Sequence, residues 1–137
     1  MKKTFFTTNI SHRWYLIDCK NQSLGRLSTR ITQILLKKNI TTYSPSIKQK
    51  NYIVLINSKQ LKYNKKKIYY FCYKPGHPGK SLKIKEFSSN SIKQSIKRML
   101  PMNVRNKLIK QIKIYENDNY PHKGQINKIV NVRSKYF

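Results

Sequence analysis

Residues 14 to 38, Trp-Tyr-Leu-Ile-Asp-Cys-Lys-Asn-Gln-Ser-Leu-Gly-Arg-Leu-Ser-Thr-Arg-Ile-Thr-Gln-Ile-Leu-Leu-Lys-Lys, combine an apolar run, a polar turn and a segment with two distinct faces. Trp14 to Ile17 is typical of a core strand. Ser23 is positioned to cap a helix that begins at Leu24. Apolar and basic side chains recur separately along this helix at three- and four-residue steps. The apolar stripe is Leu24, Leu27, Ile31, Ile34 and Leu35, and the polar stripe is Arg26, Arg30, Gln33 and Lys37. We predict that the apolar face packs on a sheet and that the other face presents cations.

The composition points to a polyanionic partner. The chain has 137 residues, the size of one domain. Thirty Lys and Arg residues stand against four Asp and Glu, for a formal charge of +26, so internal ion pairs cannot neutralise the fold. A membrane surface is the weaker candidate, because no window of 18 apolar residues exists and the basic residues are spread over the whole chain. Composition therefore predicts a nucleic-acid partner and no membrane partner.

Further strands are predicted in the middle of the chain. Tyr52 to Ile56 is continuously apolar and is therefore expected at the centre of a sheet. Gln60 to Tyr63 alternates polar and apolar residues, and Ile68 to Tyr73 is apolar and aromatic. We predict that these two segments form a hairpin with Lys65 to Lys67 near its tip. The loop from Lys74 to Lys80 is rich in proline and glycine.

The second half of the sequence predicts two more helices and a last strand. The first helix runs from Glu86 to Leu100 and is ended by Pro101. Asn103 is expected to cap the second, which is short, and Ile112 to Tyr115 forms the last strand. From Glu116 onward the chain is polar and is predicted to be a tail. The side chains expected to face the core are Ile92, Ile96, Met99, Leu100, Val104, Leu108 and Ile112.

The order of these elements predicts a single α/β domain over residues 1–137. Its core is expected to span residues 12–116, between extended arms at residues 1–11 and 117–137. Cys19 and Cys72 are too few and too far apart for a disulfide framework. Because both lie in or beside apolar runs, we predict two buried free thiols.

Residue patterns for catalysis and for metal binding are weak. Gly79-Lys80-Ser81 is similar to the end of a phosphate-binding loop, but Lys74 stands where that motif requires a glycine. The three histidines and two cysteines have no spacing typical of zinc ligands. We therefore predict no metal, no cofactor and no small-molecule substrate. A basic ribonuclease that uses His77 or His122 stays open as an alternative, although no acid pairs with either histidine at a recognisable spacing.

The positive signal is the repetition of basic faces. Predicted helices place cations opposite their apolar stripes, and few acids intervene. Arg binds a phosphate through two parallel N–H groups, whereas Lys acts as a point charge. Gly25, near the start of the first helix, either leaves room for a phosphate or allows close packing of helix and strand. Charge on all sides of a small domain favours burial within folded RNA over a single duplex, and motifs for sequence readout are absent.

Several motifs in register resemble the universal ribosomal protein thirteen family of the large subunit, in its bacterial form. They are Trp14-Tyr15 with Asp18, Leu24-Gly25-Arg26-Leu27, Tyr43-Ser44-Pro45, Tyr52 to Asn57, Lys67 to Tyr70, Gly76-His77-Pro78-Gly79, Met99-Leu100-Pro101, Ile112 to Tyr115 and Pro121-His122. The resemblance spans residues 12 to 125. The chain departs from the family pattern where Lys50-Asn51 replaces Gly-Asp and where Tyr120 replaces a histidine.

The resemblance implies a three-layer α/β domain with a small mixed sheet and no enzymatic activity. It also implies binding to large-subunit ribosomal RNA and to neighbouring large-subunit proteins, with an architectural role in assembly. By matching position, it implies that Arg26, Arg30, His77, Lys80 and His122 contact RNA. With the other basic residues of the predicted faces and loops, the predicted contact set is Arg13, Arg26, Arg30, Lys37, Lys38, Lys65, Lys66, Lys67, Lys74, His77, Lys80, Lys97, Arg98, Arg105, Lys107, Lys110, His122 and Lys123.

A free-standing protein that coats nucleic acid without specificity is the main alternative function. The excess of Lys over Arg and the abundance of Ile and Asn suggest an AT-rich coding genome. Together with bacterial-type motifs and no recognisable targeting segment, they predict a ribosome of a plastid-type organelle. The cytoplasm of an AT-rich bacterium is the alternative location.

Overall fold

The computed structural model describes residues 12–40, 43–44, 50–63, 69–71, 75–76, 82–84 and 89–132. Strands and helices are mixed along these residues, as the sequence predicted. The strands are β1 (Arg13–Asp18), β2 (Asn51–Ile56), β3 (Tyr69–Phe71), β4 (Leu82–Ile84), β5 (Ile112–Ile114) and β6 (Lys128–Ile129). The α-helices are α1 (Leu24–Leu35), α2 (Ser89–Met99) and α3 (Arg105–Ile109).

Four strands form one sheet in the order β5-β2-β1-β6. Every neighbouring pair in this sheet is parallel, and β1 and β2 pair along six residues, from Arg13 opposite Asn51 to Asp18 opposite Ile56. Antiparallel pairing among the described residues is confined to a separate two-stranded sheet of β3 and β4. The α/β class is confirmed, and the central position of β2 follows from its continuously apolar sequence.

The two faces of the sheet are covered differently. On one face, Ile17, Ile53 and Leu55 belong to a fully buried cluster with the apolar stripes of α1 and α2. On the other, Leu16, Val54 and Ile56 pack against partly buried side chains that come mainly from the C-terminal segment. Helices, sheet and C-terminal segment therefore form three layers.

Helix α1 is fixed by its apolar stripe. Leu27, Ile31, Ile34 and Leu35 are all fully buried, and each such side chain contributes about 1.5–3 kcal/mol relative to an exposed one. At the end of the helix, the buried Asn51 side chain donates from Nδ2 to the Ile34 carbonyl oxygen at 2.9 Å. The same carbonyl accepts from the Lys37 N–H at 3.1 Å, so Asn51 supplies a second donor at the C-terminus of α1.

The predicted hairpin of Gln60 to Tyr63 with Ile68 to Tyr73 is wrong. Gln60 ends a 3-10 helix, Ser58–Gln60, and Lys62 makes an isolated parallel bridge with Ser23. Lys62 donates its N–H to the Gln22 carbonyl at 2.8 Å and accepts from the Leu24 N–H at 3.2 Å. The backbone groups needed for a hairpin are thus used by the turn before α1, and β3 pairs with β4 instead.

Two predicted side-chain caps are also wrong. Ser23 and Val104 occupy the N-cap positions of α1 and α3 without a side-chain capping hydrogen bond, so Asn103 is not a cap. Helix α1 ends at Leu35 with Leu36 as its C-cap. Met99 is 44% exposed and Val104 38% exposed, although both were expected to face the core. The burial predicted for the remaining inward residues of α2 and α3 is confirmed at Ile92, Ile96, Leu100, Leu108 and Ile112.

The sequence predicted a tail from Glu116 onward, but the chain up to residue 132 packs on the sheet. Strand β6 extends the sheet beside β1, and the Val130 N–H donates to the Leu16 carbonyl at 2.9 Å. Asn127 makes two hydrogen bonds to the backbone of Trp14. Its N–H donates to the Trp14 carbonyl, and its Oδ1 accepts from the Trp14 N–H. The polar composition of the segment did not predict this strand. Within the segment only Val130 is buried, and the stabilising contacts are mainly backbone hydrogen bonds.

Cys19 is a buried free thiol, as predicted; Cys72 lies outside the described residues. Burial, with a smaller contribution from the neighbouring Asp18 carboxylate, raises the pKa of Cys19 to about 12. The thiol therefore stays protonated in the folded protein at pH values where an exposed cysteine ionises. Because the folded state holds this proton more tightly, the thiol lowers the free energy of unfolding as the pH rises above about 9.

We expect Cys19 to resist alkylation at pH 8 in the folded protein. In a Cys72→Ser variant, iodoacetamide should label Cys19 at least about a hundredfold more slowly in buffer than in 8 M urea, because burial removes both access and the thiolate. Mass spectrometry of time points measures both rates, and free glutathione provides the reference for an exposed thiol. Equal rates in the two conditions would show that Cys19 is not buried.

Candidate nucleic-acid interface

The basic face of α1 is held by the buried opposite face. Arg26 is exposed, Arg30 one turn later is half-buried, and Gln33 continues the same stripe. A Cβ atom added at Gly25 would meet nothing within 4 Å, so close packing does not explain this glycine. The start of α1 is therefore an open surface beside two guanidinium groups.

Helix α2 lies against α1 through small polar side chains. Ser28 Oγ is 3.0 Å from Ser95 Oγ, and Thr29 Oγ1 is 4.0 Å from Met99 Sδ. Because Ile92 and Ile96 fill the core, the last turn of α2 exposes Lys97 and Arg98. Two adjoining helices thus hold cations on their outer surfaces.

Cations of the predicted contact set also lie outside these two helices. Lys107 and Lys110 are exposed on and just after α3, and Arg105 at its start is half-buried. Arg13 is exposed at the start of β1, and Lys38 is exposed after α1.

Lys37 does not extend the basic face of α1, which corrects the prediction. It follows the end of the helix, has a left-handed backbone (φ 51°) and is only 6% exposed. Burial, and secondarily the Arg13 guanidinium, lower the pKa of Lys37. A buried lysine side chain is poorly placed to reach a phosphate, and the RNA contact of Lys37 stays a prediction.

A row of aromatic rings lies on the sheet face opposite the helices. Trp14 stacks on Tyr52 with ring centroids 4.5 Å apart and planes 16° apart, and the His122 ring lies 5.3 Å from Trp14. The row continues from His122 to Tyr115 at 6.0 Å and from Tyr115 to Tyr120 at 6.4 Å. All five rings are half-buried. We call these residues the aromatic row.

The C-terminal segment adds polar groups beside the aromatic row. Lys123 Nζ lies 6.0 Å from the centroid of the Tyr120 ring. His122 Nδ1 lies 3.1 Å from Gln125 Oε1, which fixes the orientation of the imidazole. Half-exposed rings beside a cation are a suitable surface for stacking of unpaired RNA bases.

The acids of the described residues do little to neutralise these cations. Asp18 Oδ1 accepts from the Lys20 N–H at 2.9 Å and from Asn57 Nδ2 at 3.1 Å, so this carboxylate is engaged in the turn after β1. Glu116 pairs with Lys59 at 2.7 Å, and both side chains are more than half exposed. An exposed pair of this kind contributes little to stability. The electrostatic surface is therefore strongly positive.

A model of the family Ribosomal protein L13 matches residues 12–121 of this chain. The chain belongs to the ribosomal protein L13 family. The resemblance inferred from the motifs is thereby confirmed, and it covers all the elements from β1 to β5.

Relatives of this L13-family chain occur in several organisms. The large ribosomal subunit protein uL13c of Gracilaria tenuistipitata var. liui is 39% identical over 142 residues, covering 95% of this chain and 98% of the relative. The large ribosomal subunit protein uL13 of Staphylococcus haemolyticus (strain JCSC1435) is 36% identical, covering 91% and 94%. The uL13 protein of Thermosipho africanus (strain TCF52B) is 37% identical, covering 82% and 81%. The chain thus matches these proteins over most of their length.

Several predicted contacts of the L13-family chain lie outside the described residues. They are Lys65, Lys66, Lys67, Lys74, His77 and Lys80. The phosphate-loop-like Gly79-Lys80-Ser81 lies outside them as well.

In the described ranges, no group of three or more His, Cys, Asp or Glu side chains is placed to hold a metal ion. Over the same ranges, no helix combines the length and the apolar character needed to cross a membrane.

The sequence interpretation missed most of the aromatic row, although it included His122. Trp14 and Tyr52 occupy opposite positions in the register of β1 and β2, so their stacking depends on strand pairing. The available signal was that each opens an apolar strand. Tyr115 and Tyr120 join the row only because the C-terminal segment folds back over the sheet.

Proposed function

We propose that this L13-family protein is a structural constituent of the large ribosomal subunit that binds and stabilises large-subunit ribosomal RNA during assembly and translation. The observation that carries the proposal is a buried α/β core that fixes exposed cations on α1, α2 and α3. Membership of the L13 family supports the same conclusion, as do the names of the relatives, which are large ribosomal subunit proteins. The protein has no enzymatic role in this proposal.

The proposed mechanism is charge neutralisation on a rigid shape. Arg26 and Arg30 bind phosphate oxygens through paired N–H groups, and the exposed lysines reduce repulsion between converging RNA strands. Because α1 is anchored by fully buried side chains, the backbone that carries the two arginines loses little conformational freedom on binding. The affinity for RNA should therefore fall steeply as the salt concentration rises.

The aromatic row supplies a second kind of contact. We propose that His122 and Trp14 receive an unpaired base by stacking, while Lys123 lies near the phosphate that follows it. This contact tolerates different bases, since every base has a flat apolar face. The row thus adds affinity for irregular RNA without sequence readout.

The proposed partners are large-subunit ribosomal RNA and neighbouring large-subunit proteins. The proposed location is the ribosome of a plastid-type organelle, which the uL13c relatives support. The bacterial uL13 relatives support the alternative, the cytoplasm of an AT-rich bacterium.

The experiment is sedimentation of a native lysate on a sucrose gradient after a high-salt wash. We expect stoichiometric recovery of the protein with the large subunit, measured by mass spectrometry against other large-subunit proteins. A structural component is retained because RNA encloses it, whereas a loosely bound coating protein is released as phosphate contacts weaken. Recovery in the light fractions, or along DNA, would reject the proposal in favour of a coating protein.

A further inference from the structure

A groove lies where α2, α3 and β5 meet. It has a volume of about 460 Å³ and is open to solvent, which places it within the range of about 300–1,000 Å³ typical of ligand sites. The wall of the groove contains three lysines: Lys93 on α2, Lys110 just after α3 and Lys113 on β5. The lining residues are Lys93, Ile109, Lys110, Ile112, Lys113, Ile114 and Tyr115. We call this feature the β5 groove.

The floor of the β5 groove is the edge of the sheet that the described residues form. Strand β5 is terminal in the order β5-β2-β1-β6. The Ile53 N–H bonds to the Gln111 carbonyl and the Tyr115 N–H bonds to the Leu55 carbonyl, so the odd-numbered residues direct their backbone groups toward β2. In a parallel strand the intervening residues direct theirs the other way. The N–H groups of Ile112 and Ile114 therefore point to the open edge, beside the lysines.

The charges of the β5 groove require an anionic occupant. Its lining contains three lysines and no acid. Of the three acids in the described residues, Asp18 is engaged in the turn after β1, Glu116 pairs with Lys59, and the exposed Asp118 lies outside the groove lining. A second copy of this chain carries the same charge of +26 and would be repelled. Lysine ammonium groups beside N–H donors that point toward this edge match the oxygens of successive phosphates.

We propose that the β5 groove binds the backbone phosphates of a single RNA strand that runs along the edge of β5. This inference rests on the proposed function and adds a second RNA-binding surface to it. Lys93 and Lys113 are its distinguishing residues, because neither belongs to the predicted contact set. The partly buried Ile109, Ile114 and Tyr115 provide apolar surface against which the sugars pack.

The experiment compares the double variant Lys93→Gln with Lys113→Gln against a matched control, Lys20→Gln with Lys128→Gln. The control lysines are exposed and lie outside both the groove and the predicted contact set. Binding to a transcript of large-subunit ribosomal RNA is measured at 0.05 to 0.4 M KCl. Loss of two phosphate contacts on a single strand should make the slope of log affinity against log salt shallower by about 1.4 and lower the affinity at 0.1 M salt about 25-fold.

Two further measurements keep the outcome interpretable. The variant Lys93→Arg with Lys113→Arg keeps the charge and should retain affinity, and amine acylation of the wild-type protein should show Lys93 and Lys113 protected by RNA. The inference is overturned if the groove variant and the control lose affinity equally, or if neither lysine is protected. It is also overturned if an acidic peptide is found to occupy the groove. If the wild-type protein itself shows no preference for ribosomal RNA over duplex DNA, the proposed function fails first.

Discussion

Replacing both Arg26 and Arg30 by glutamate should weaken binding to large-subunit ribosomal RNA at least about sixtyfold at 0.1 M salt. The figure follows if each guanidinium neutralises one phosphate of a duplex-like site, for which the salt slope changes by about 0.9 per contact. The introduced carboxylates add repulsion. Arg26 is exposed and Arg30 is half-buried, and neither belongs to the buried apolar stripe of α1, so we expect the helix to stay folded. Filter binding over a salt series measures the affinity and the slope.

The matched control for this variant is Lys20→Glu with Lys128→Glu. It changes the net charge by the same amount at exposed positions outside the predicted contact set. A general electrostatic effect would weaken RNA binding equally in both proteins, whereas a localised contact weakens it mainly in the arginine variant. Arg30 is half-buried, so far-UV circular dichroism and thermal unfolding must accompany the binding data. Unchanged binding by a folded arginine variant would remove α1 from the interface.

Replacing Ile31 by alanine should lower the free energy of unfolding by about 2–5 kcal/mol. Ile31 is fully buried in the cluster that joins α1 to the sheet and to α2. The truncation removes apolar surface from the core and leaves a cavity that the neighbouring elements fill only in part. Because small domains are stable by only about 5–15 kcal/mol, this loss is a large part of the total. Urea unfolding at fixed salt concentration measures it.

Thr29→Ala is the matched control for Ile31→Ala. Both positions are β-branched and lie in the middle of α1, so both variants gain similar helix propensity. Thr29 is exposed, and its hydroxyl donates to the Gly25 carbonyl within the helix. Its replacement should change the free energy of unfolding by no more than about 0.5 kcal/mol. Equal losses in the two variants would mean that α1 does not pack by its predicted apolar stripe.

The two substitutions test separate properties of one helix. Arg26 and Ile31 lie only five positions apart, yet one is exposed and the other fully buried. If the proposed mechanism holds, Ile31→Ala should affect RNA binding only through the fraction of folded protein. Replacing Arg26 and Arg30 by glutamate should weaken RNA binding without a comparable loss in the free energy of unfolding. The buried stripe therefore determines where the two arginines are held, and the arginines determine that the helix binds phosphate.

Asn51 shows how one departure from the family pattern fits this fold. It stands where the resembled family has an acid, and its amide donates to the Ile34 carbonyl at the C-terminus of α1. An ionised carboxylate has no hydrogen to donate to that carbonyl. The amide thus stabilises the end of the helix and, unlike an ionised carboxylate, places no charge in the buried interior.

The sequence by itself determined the features that depend on local periodicity. The steps of Leu27, Ile31 and Ile34 specify a buried helical stripe whatever lies beneath it, and the apolar run of β2 specifies a central strand. The same steps predict that Arg26 is exposed. The excess of cations over acids is a property of composition, so a polyanionic partner followed from it as well.

Only the tertiary structure decided which segments meet. Strand β6 exists because the outer edge of β1 offers backbone hydrogen bonds, and no apolar pattern marks its two residues. Lys37 is buried because the chain turns sharply after Leu35, which its place in the basic stripe did not reveal. The aromatic row and the β5 groove combine residues far apart in sequence. Such sites arise from pairing and packing between elements, and local patterns carry no information on that geometry.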